Sequence, residues 1–523
     1  MKKIFTLAFV CVLALTCFAQ DPGTLDSSFG TDGMTRFTPS TSHDYLEKIL
    51  IQEDGKILTT GRSRHDGSNY DIYVSRQNTD GSMDASFGTN GIRHYQATPA
   101  IYINAARDIA FGNDGLIFIA GYTYDYENNE AFVLCIDENG FEYPYFGNEG
   151  FAISEYGGGI VYEALDVDNN GRPIVTGYLN DKVIVRRFDT AGQLDPTFGD
   201  NGTVQINFDD ALYSFGYSIK VTEDNKIIVA GVRIDVQSLM LRAFVTRLED
   251  NGTLDNTFGN YGRVDLNIGH LAEYALDIDI DPNGNYLVAG HSEIPSQSGT
   301  LARYEAYVTR ILTDGTIDTS FGTDGFTRFE SFSGEGCINN SEAVVAAHDG
   351  QIFGTYYSYD NITSDSRAYV YNLNENGQPN EDFAETGILP ISLQQGDLEV
   401  RTAAAVMQND GKLLIGGLFF NNDGWASDVF VTRINTNVTP NIGYNDIEAA
   451  KSSIYPNPAT STVFVETNGN AQVSIIDMTG RVIKEMETTG NVSTINIEDI
   501  NEGIYFIMIQ DDNNRIVEKL VVK

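Results

Sequence analysis

The sequence predicts an all-β chain: a seven-bladed β-propeller of four-stranded blades, its N-terminal strand closing the last blade, followed by a small β-sandwich. Three observations predict it. A Leu-Asp-x-Ser-Phe-Gly motif recurs about every sixty residues, an Asp-Gly or Asn-Gly turn between two apolar runs keeps the same beat, and the first and last units are complementary fragments of one blade. Repeats at a fixed period decide an architecture before any local reading does.

The elements follow in chain order. Lys2 and Lys3 precede an apolar run from Ile4 to Ala19 that is short for a membrane span. Cys17-Phe18-Ala19 places small residues at the cleavage positions, so residues 1–19 read as an export signal cut before Gln20. Residues 20–436 hold the repeats. The motif phenylalanines stand at 29, 87, 146, 198, 258, 321 and 383, with the copies around Phe146 and Phe383 degenerate. The turns centre on Gly55, Gly115, Gly171, Asn225, Gly284, Gly350 and Gly411, where a tight hairpin needs positive φ. A glycine recurs six residues later at 61, 121, 177, 231, 290 and 417, with Tyr356 as the exception.

The first full unit therefore holds strand A at about Tyr45–Gln52, B at Lys56–Arg62, C at Asp71–Gln77 and D at Gly91–Tyr95. The segment behind the signal supplies only a D strand, near Met34–Thr38. The last unit supplies A, B and C, the C strand at Asp428–Ile434. The two fragments make one blade, which removes the open edges of the ring. Residues 437–451 read as a polar linker. Residues 452–523 alternate with period two, as in Val463-Phe464-Val465, and suit a small sandwich.

Composition limits the partners. The chain has 523 residues, 33 Lys and Arg against 73 Asp and Glu, and a net charge of −40. Such a surface repels phosphate backbones, so nucleic acid is not an expected partner. No stretch beyond the signal is apolar enough to cross a membrane, and the chain is read as a monomer. Cys135 and Cys337 lie far apart without framework spacing and read as buried thiols.

Comparison of the repeats separates scaffold from site. From the C-strand valine to the next motif phenylalanine is 13 residues each time, from Val74 to Phe87 through Val370 to Phe383. The A–B turns are equally constant. The B–C and D–A connections vary, and both lie on the opposite face of the ring. Constant loops read as structural, with the motif Phe buried and Asp26 and its equivalents capping Asx-turns. Variable loops on a rigid frame are where binding concentrates. The candidate ligand contacts there are Tyr122, Tyr124, Tyr126, Arg303, Tyr304, Tyr356, Tyr357, Tyr359 and Trp425. The structural alternative is that these side chains cover blade edges.

Chemical motifs are scarce. Asp166-Val167-Asp168 and Asp279-Ile280-Asp281 resemble the opening of a calcium loop, but Gly177 and Gly290 stand where its closing Glu belongs, and both lie on A–B hairpins. No cofactor is expected; calcium is the one metal the acidic repeats leave open. His43, His65, His94, His270, His291 and His348 are scattered, and no metalloprotease, nucleophile-elbow or phosphate-loop pattern occurs.

Two resemblances cover most of the chain. The Leu-Asp-x-Ser-Phe-Gly-x-x-Gly and Asp-Gly-Lys units resemble delta-60 repeats, a bacterial propeller family without an assigned activity, over about residues 21 to 436. The tail is similar to the type A sorting domain of the type IX secretion system. It carries Tyr455-Pro456-Asn457-Pro458, Asp477-Met478-Thr479-Gly480-Arg481, Gly503-Ile504-Tyr505 and the terminal Lys519-Leu520-Val521-Val522-Lys523. That resemblance implies handling by the type IX machinery, passage across a Gram-negative outer membrane, then removal of the tail and release or surface attachment. The leading expectation is a secreted or surface binding protein for an extracellular glycan or surface protein. The alternatives are a hydrolase or lyase acting at the channel mouth, and a structural surface component.

Overall fold

The computed structural model describes residues 21–40, 42–66, 69–98, 103–125, 129–154, 159–208, 210–269, 271–295, 303–329, 337–392, 397–421, 427–440, 454–455, 457–466, 470–476, 481–489, 492–497, 500–501, 503–510 and 515–523. They form two compact units, 1–439 and 440–523.

In the first unit the strands pair as seven antiparallel four-stranded blades. The first blade is Asp44–Ile51, Ile57–Asp66, Asn69–Gln77 and Ile92–Tyr95. The innermost strands of the next six are Ile103–Phe111, Ile160–Val167, Ala211–Val221, Glu273–Ile280, Cys337–Ala346 and Asp397–Met407. Each inner strand packs on the next, and the seventh packs on the first, so the ring is closed. At the seam the N-terminal strand Met34–Phe37 pairs antiparallel with Ser427–Asn435, Met34 opposite Thr432 and Phe37 opposite Val429. Thr24 and Leu25 extend the same edge against Asn435 and Ile434.

Apolar side chains fill the gaps between blades. Leu46 and Ile49 of the first blade meet Leu414, Val429 and Val431 of the seventh. All seven motif phenylalanines are fully buried. The A–B turns adopt the positive φ their sequence demands, 78° at Gly55 and 62° at Asn225.

The motif aspartate does more than cap. Its Oδ1 accepts the backbone N–H two residues on, as from Ser28 to Asp26 and from Thr257 to Asp255. Its Oδ2 holds an arginine of the third strand. The Nε–Oδ2 distances are 2.7 Å for Arg433–Asp26, 2.8 Å for Arg76–Asp84, 2.9 Å for Arg187–Asp195, 2.8 Å for Arg247–Asp255 and 2.9 Å for Arg310–Asp318. Each guanidinium lies over the motif phenylalanine, 4.6 Å from the ring centre for Arg247 over Phe258. It then donates to a turn carbonyl of the following blade: Thr79, Glu138, Asp250, Thr313 or Glu375. One arginine thus ties its own motif to the neighbouring blade. The two degenerate repeats lose both partners together, with Cys135 and Tyr143 in the second blade and Asn372 and Asn380 in the sixth. Cys135 and Cys337 are buried thiols and are not bridged.

Burial alone would raise the latch carboxyls. Turn hydroxyl and N–H bonds and the nearby cations outweigh it, holding Asp84 at about 2 and Asp26, Asp195, Asp255 and Asp318 below the usual range. A carboxylate depressed on folding stabilises the fold above its unfolded value of about 3.9, and that stability is lost as pH falls through the folded value. The melting temperature of the propeller should therefore fall between about pH 4 and pH 2 as the latch carboxylates take up protons. A flat melting profile over that interval, measured by circular dichroism, would remove the latches from the stability account.

The second unit is a two-sheet sandwich. Ile454–Tyr455, Thr462–Glu466 and Val492–Asn496 form one sheet; Val482–Thr489, Asn470–Ile476, Gly503–Gln510 and Arg515–Val522 form the other. Val463, Val465, Val473, Ile475, Ile507 and Leu520 fill the space between. Asn457 explains its motif. Its amide donates to the Lys519 carbonyl at 2.6 Å and accepts from the Val521 N–H at 2.9 Å, so the motif grips the terminal strand. Lys523 N–H donates to the Ala459 carbonyl, and Tyr505 Oη donates to the Asn501 carbonyl. The neighbouring motif residues Pro456 and Gly480 lie outside the described residues.

Candidate functional site at the channel mouth

Every inner strand carries an extra residue at one equivalent position. Its pairing with the second strand skips a position between Leu46 and Lys48, Ala106 and Asp108, Tyr162 and Ala164, Gly216 and Ser218, Ala275 and Asp277, Ser341 and Ala343, and Thr402 and Ala404. The bulged residues are Glu47, Arg107, Glu163, Tyr217, Leu276, Glu342 and Ala403. A bulge breaks the two-residue alternation and re-aims one side chain. The recurring second-strand glycine is what makes room. A Cβ on Gly61 would overlap the Tyr45 carbonyl oxygen, and Gly121, Gly177, Gly231, Gly290 and Gly417 face the equivalent oxygens of Ala105, Val161, Phe215, Tyr274 and Arg401. Glycine in a strand marks a close backbone approach of this kind. In the sixth blade Tyr356 holds that position and the strand still bulges.

Each inner strand runs from a variable D–A connection to a constant A–B turn, and its bulged residue stands four positions before the strand's last residue. The bulged residues therefore share one level of the channel, on the variable-loop side of the residues that follow them. There they form an interlaced set of charges. Glu47 lies between Arg62 at 3.4 Å and Arg107 at 3.3 Å, and Arg107 reaches Glu163 at 2.9 Å. Arg401 of the seventh blade pairs with Glu399. Aromatic rings back the cations: Tyr45 under Arg62 at 4.2 Å, Tyr122 near Arg107 at 5.7 Å, and Tyr357 and Phe420 near Arg401 at 5.7 and 5.2 Å. Burial, then the charge of Glu163, raises the hydroxyls of Tyr178 and Tyr217. Burial and then the charge of Glu47 push Glu342 up to about 7.

A second layer of charges lies next along the inner strands, towards the constant turns. Lys48 of the first blade meets Asp277 of the fifth at 3.6 Å, and Lys220 meets Asp279 at 3.6 Å. The four carboxylates of this layer each accept a backbone N–H from the next blade: Asp108 from Leu165, Asp166 from Val221, Asp277 from Val344 and Asp279 from Ala346. The layer borders a cavity of about 500 Å³ to which all seven inner strands contribute. Burial disfavours the charge on Lys48, but Asp277 and Asp108 outweigh it and raise its value.

The loop residues singled out from the sequence divide. Tyr122 and Tyr357 join the mouth; the Tyr357 hydroxyl accepts from Asn340 at 3.1 Å. Tyr304 packs edge-on against His291, outside the bulged ring. Tyr124, Arg303 and Tyr359 are half-buried at the ends of strands. Tyr356 is 2% exposed and stacks between Phe329 and Tyr369, so it belongs to the core and leaves the ligand set. Tyr126 and Trp425 lie outside the described residues. Five of the loop tyrosines were expected on loops because the second strands were expected to end near Arg62; those strands run on to Asp66, Tyr124 and Asp360. The bulged set was missed, although the repeated strand glycine was its signal.

The acidic turns once compared with a calcium loop are internally satisfied. Asp168 Oδ1 accepts from Asn170 and Arg172, and Asp281 Oδ1 accepts from Asn283 and Asn285. Among the described residues no group of three or more His, Cys, Asp or Glu is placed to hold a metal ion. Among them, too, no helix is long and apolar enough to cross a membrane.

Comparison with known proteins agrees with the two units. A family model described as a secretion system C-terminal sorting domain matches residues 453–523. A second, a domain of unknown function (DUF5122) β-propeller, matches residues 52–87, 222–258 and 408–439. No curated protein matches the chain. Among solved structures, a protein from Lactobacillus plantarum is 12% identical over 84% of this chain and 99% of its own, with a TM-score of 0.39. The β-propeller domain of the trilobed protease from Pyrococcus furiosus is 12% identical over 79% of this chain and 100% of its own, with a TM-score of 0.38.

Proposed function

We propose that this type IX secretion cargo, a β-propeller with a C-terminal sorting domain that sends it to the extracellular space or the cell surface, binds an extracellular glycan at its channel mouth. One observation carries the reading: bulges at one equivalent position of all seven blades turn four charged residues and a tyrosine into the same channel. Nothing in ring closure requires a charged residue there, since Leu276 and Ala403 occupy two of the seven positions. Arginine and glutamate alternate across the first three blades. Such interlaced pairs suit sugar hydroxyls, which donate to a carboxylate and accept from a guanidinium. The tyrosine walls offer flat faces for the sugar C–H surface.

The test is binding of the exported full chain to a panel of soluble polysaccharides and to isolated surface proteins, with Tyr217→Ala and Glu163→Gln beside the unmodified chain. Both variants should weaken glycan binding by about tenfold or more, the 1.4 kcal/mol that one lost polar or stacking contact typically represents. Unchanged binding in both, or capture of a surface protein alone, contradicts the glycan reading.

A further inference from the structure

We infer that the cavity on the constant-turn side of the channel binds a small uncharged sugar of one or two rings. This site is separate from the mouth, because no bulged residue lines it, and it stands whether or not a polysaccharide binds there. All seven inner strands contribute to the cavity with the residues that follow their bulges. It reaches Phe111, Ala346 and Met407, the last residues of their strands. Its volume of about 500 Å³ falls within the range of small-ligand pockets, about 300–1,000 Å³.

The two sides of the cavity differ. The second to fifth blades line it with Asp108, Asp166, Ser218, Lys220, Asp277 and Asp279. The sixth and seventh line it only with apolar residues, Val344–Ala346 and Ala405–Met407. The first adds Lys48 beside Ile49 and Leu50. A sugar ring is divided in the same way, with hydroxyl groups around its rim and C–H groups on its faces. Small-ligand sites commonly pair an apolar wall with a few placed polar groups.

The polar side is fixed by the protein and keeps capacity to spare. Asp277 Oδ2 accepts the Val344 N–H at 3.0 Å while its Oδ1 accepts the Ser218 hydroxyl at 3.2 Å, so one carboxylate spans three blades. Asp108, Asp166 and Asp279 are held in the same way by the N–H groups of Leu165, Val221 and Ala346. An ionised carboxyl has about four acceptor positions, so each of these can take a ligand hydroxyl as well. Lys48 meets Asp277 and Lys220 meets Asp279, both at 3.6 Å, and the two lysine side chains leave 30% and 40% of their surface uncovered. Each ammonium carries three donors, more than one carboxylate at that distance uses. Fixed acceptors beside donors suit neighbouring hydroxyl groups, each of which both donates and accepts. The four carboxylates outnumber the two ammonium groups, and this excess of negative charge disfavours an acidic ligand.

The experiment titrates the full exported chain with glucose, galactose, mannose, xylose, maltose and cellobiose in a calorimeter, with glucuronate as the anionic control. At least one neutral sugar should bind, and glucuronate should bind at least tenfold more weakly than the best of them. Val406→Phe fills the apolar side of the cavity and Lys220→Met removes one ammonium group. Each should weaken binding of that sugar by about tenfold or more. Circular dichroism melts establish that a variant is folded, and either folded variant is sufficient for the test. No neutral sugar bound at millimolar concentration overturns the inference. So does a sugar bound equally well by the folded variants, which would seat it elsewhere on the chain, or glucuronate bound as tightly as its neutral counterparts.

Discussion

Arg433→Ala opens the ring at its seam. This arginine holds Asp26 at 2.7 Å, reaches the Thr79 carbonyl and the Ser28 hydroxyl, and lies over Phe29 at 4.8 Å. Four contacts from one side chain tie the N-terminal segment to the seventh blade and both to the first. Alanine leaves the Asp26 carboxylate buried, with Lys412 as its remaining cation. Removing one member of a buried pair costs about 3–5 kcal/mol, because the other member loses its compensation. The loss falls where pairing is least local in sequence, so residues 21–40 should detach first and become sensitive to protease in the native state. The sixth blade indicates the repair, since it places Asn372 and Asn380 at the equivalent positions. The double variant Asp26→Asn with Arg433→Asn should recover at least half of the stability that Arg433→Ala loses. A double variant as unstable as the sum of its single changes, in urea melts followed by fluorescence, would mean that the two residues do not act as a pair.

Lys48→Met produces the second large loss, and this one depends on pH in the opposite sense to the latches. Lys48 is the cation that Asp277 and Asp108 share in the second layer of the channel. Burial already raises the Asp108 carboxyl, and Lys48 is the leading influence that lowers it. Without the lysine the folded value of Asp108 rises further. A carboxyl raised on folding favours the native state only while protonated, so stability is lost as pH climbs from the unfolded value of about 3.9 through the folded one. The variant should lose about 3–5 kcal/mol near neutral pH and regain part of it in mild acid. Lys48→Met with Asp277→Asn should restore stability, because the amide oxygen can still accept from the Val344 N–H while the amide N–H donates to the Ser218 hydroxyl. A loss that does not change between pH 5 and pH 8 would show that packing, not charge, sets the cost.

The repeats made the fold legible because propeller geometry repeats its demands. Each blade needs a positive-φ turn residue, a buried phenylalanine and a third strand at a fixed distance from it, and all three leave marks in the order of residues. The latches were half visible. The aspartate drew attention as a turn cap, but its arginine lies eight residues before it in the previous strand, and only the paired losses at Cys135 with Tyr143 and Asn372 with Asn380 connect the two. The mouth was least legible. A bulge belongs to two strands at once, and the glycine that permits it reads along the chain as one more repeat marker. Glu47, Arg107, Glu163 and Tyr217 share no residue type, so no motif gathers them; the shared position in the inner strand does. The aromatic residues of the variable connections drew attention by composition, yet composition could not separate Tyr357 beside Arg401 from Tyr356 one residue earlier, which alternation turns into the core.

The claim on which the functional account stands is that the bulged residues of all seven blades make one ligand site. The most direct test is a crystal structure of the chain with a bound oligosaccharide from the polysaccharide panel. The account predicts a sugar ring in the channel mouth, hydrogen-bonded to Glu47 and Arg107 and flanked by Tyr122 or Tyr357. A sugar seated on the outer edges of the blades or in the grooves between them, with the mouth side chains in their unliganded positions, would contradict it.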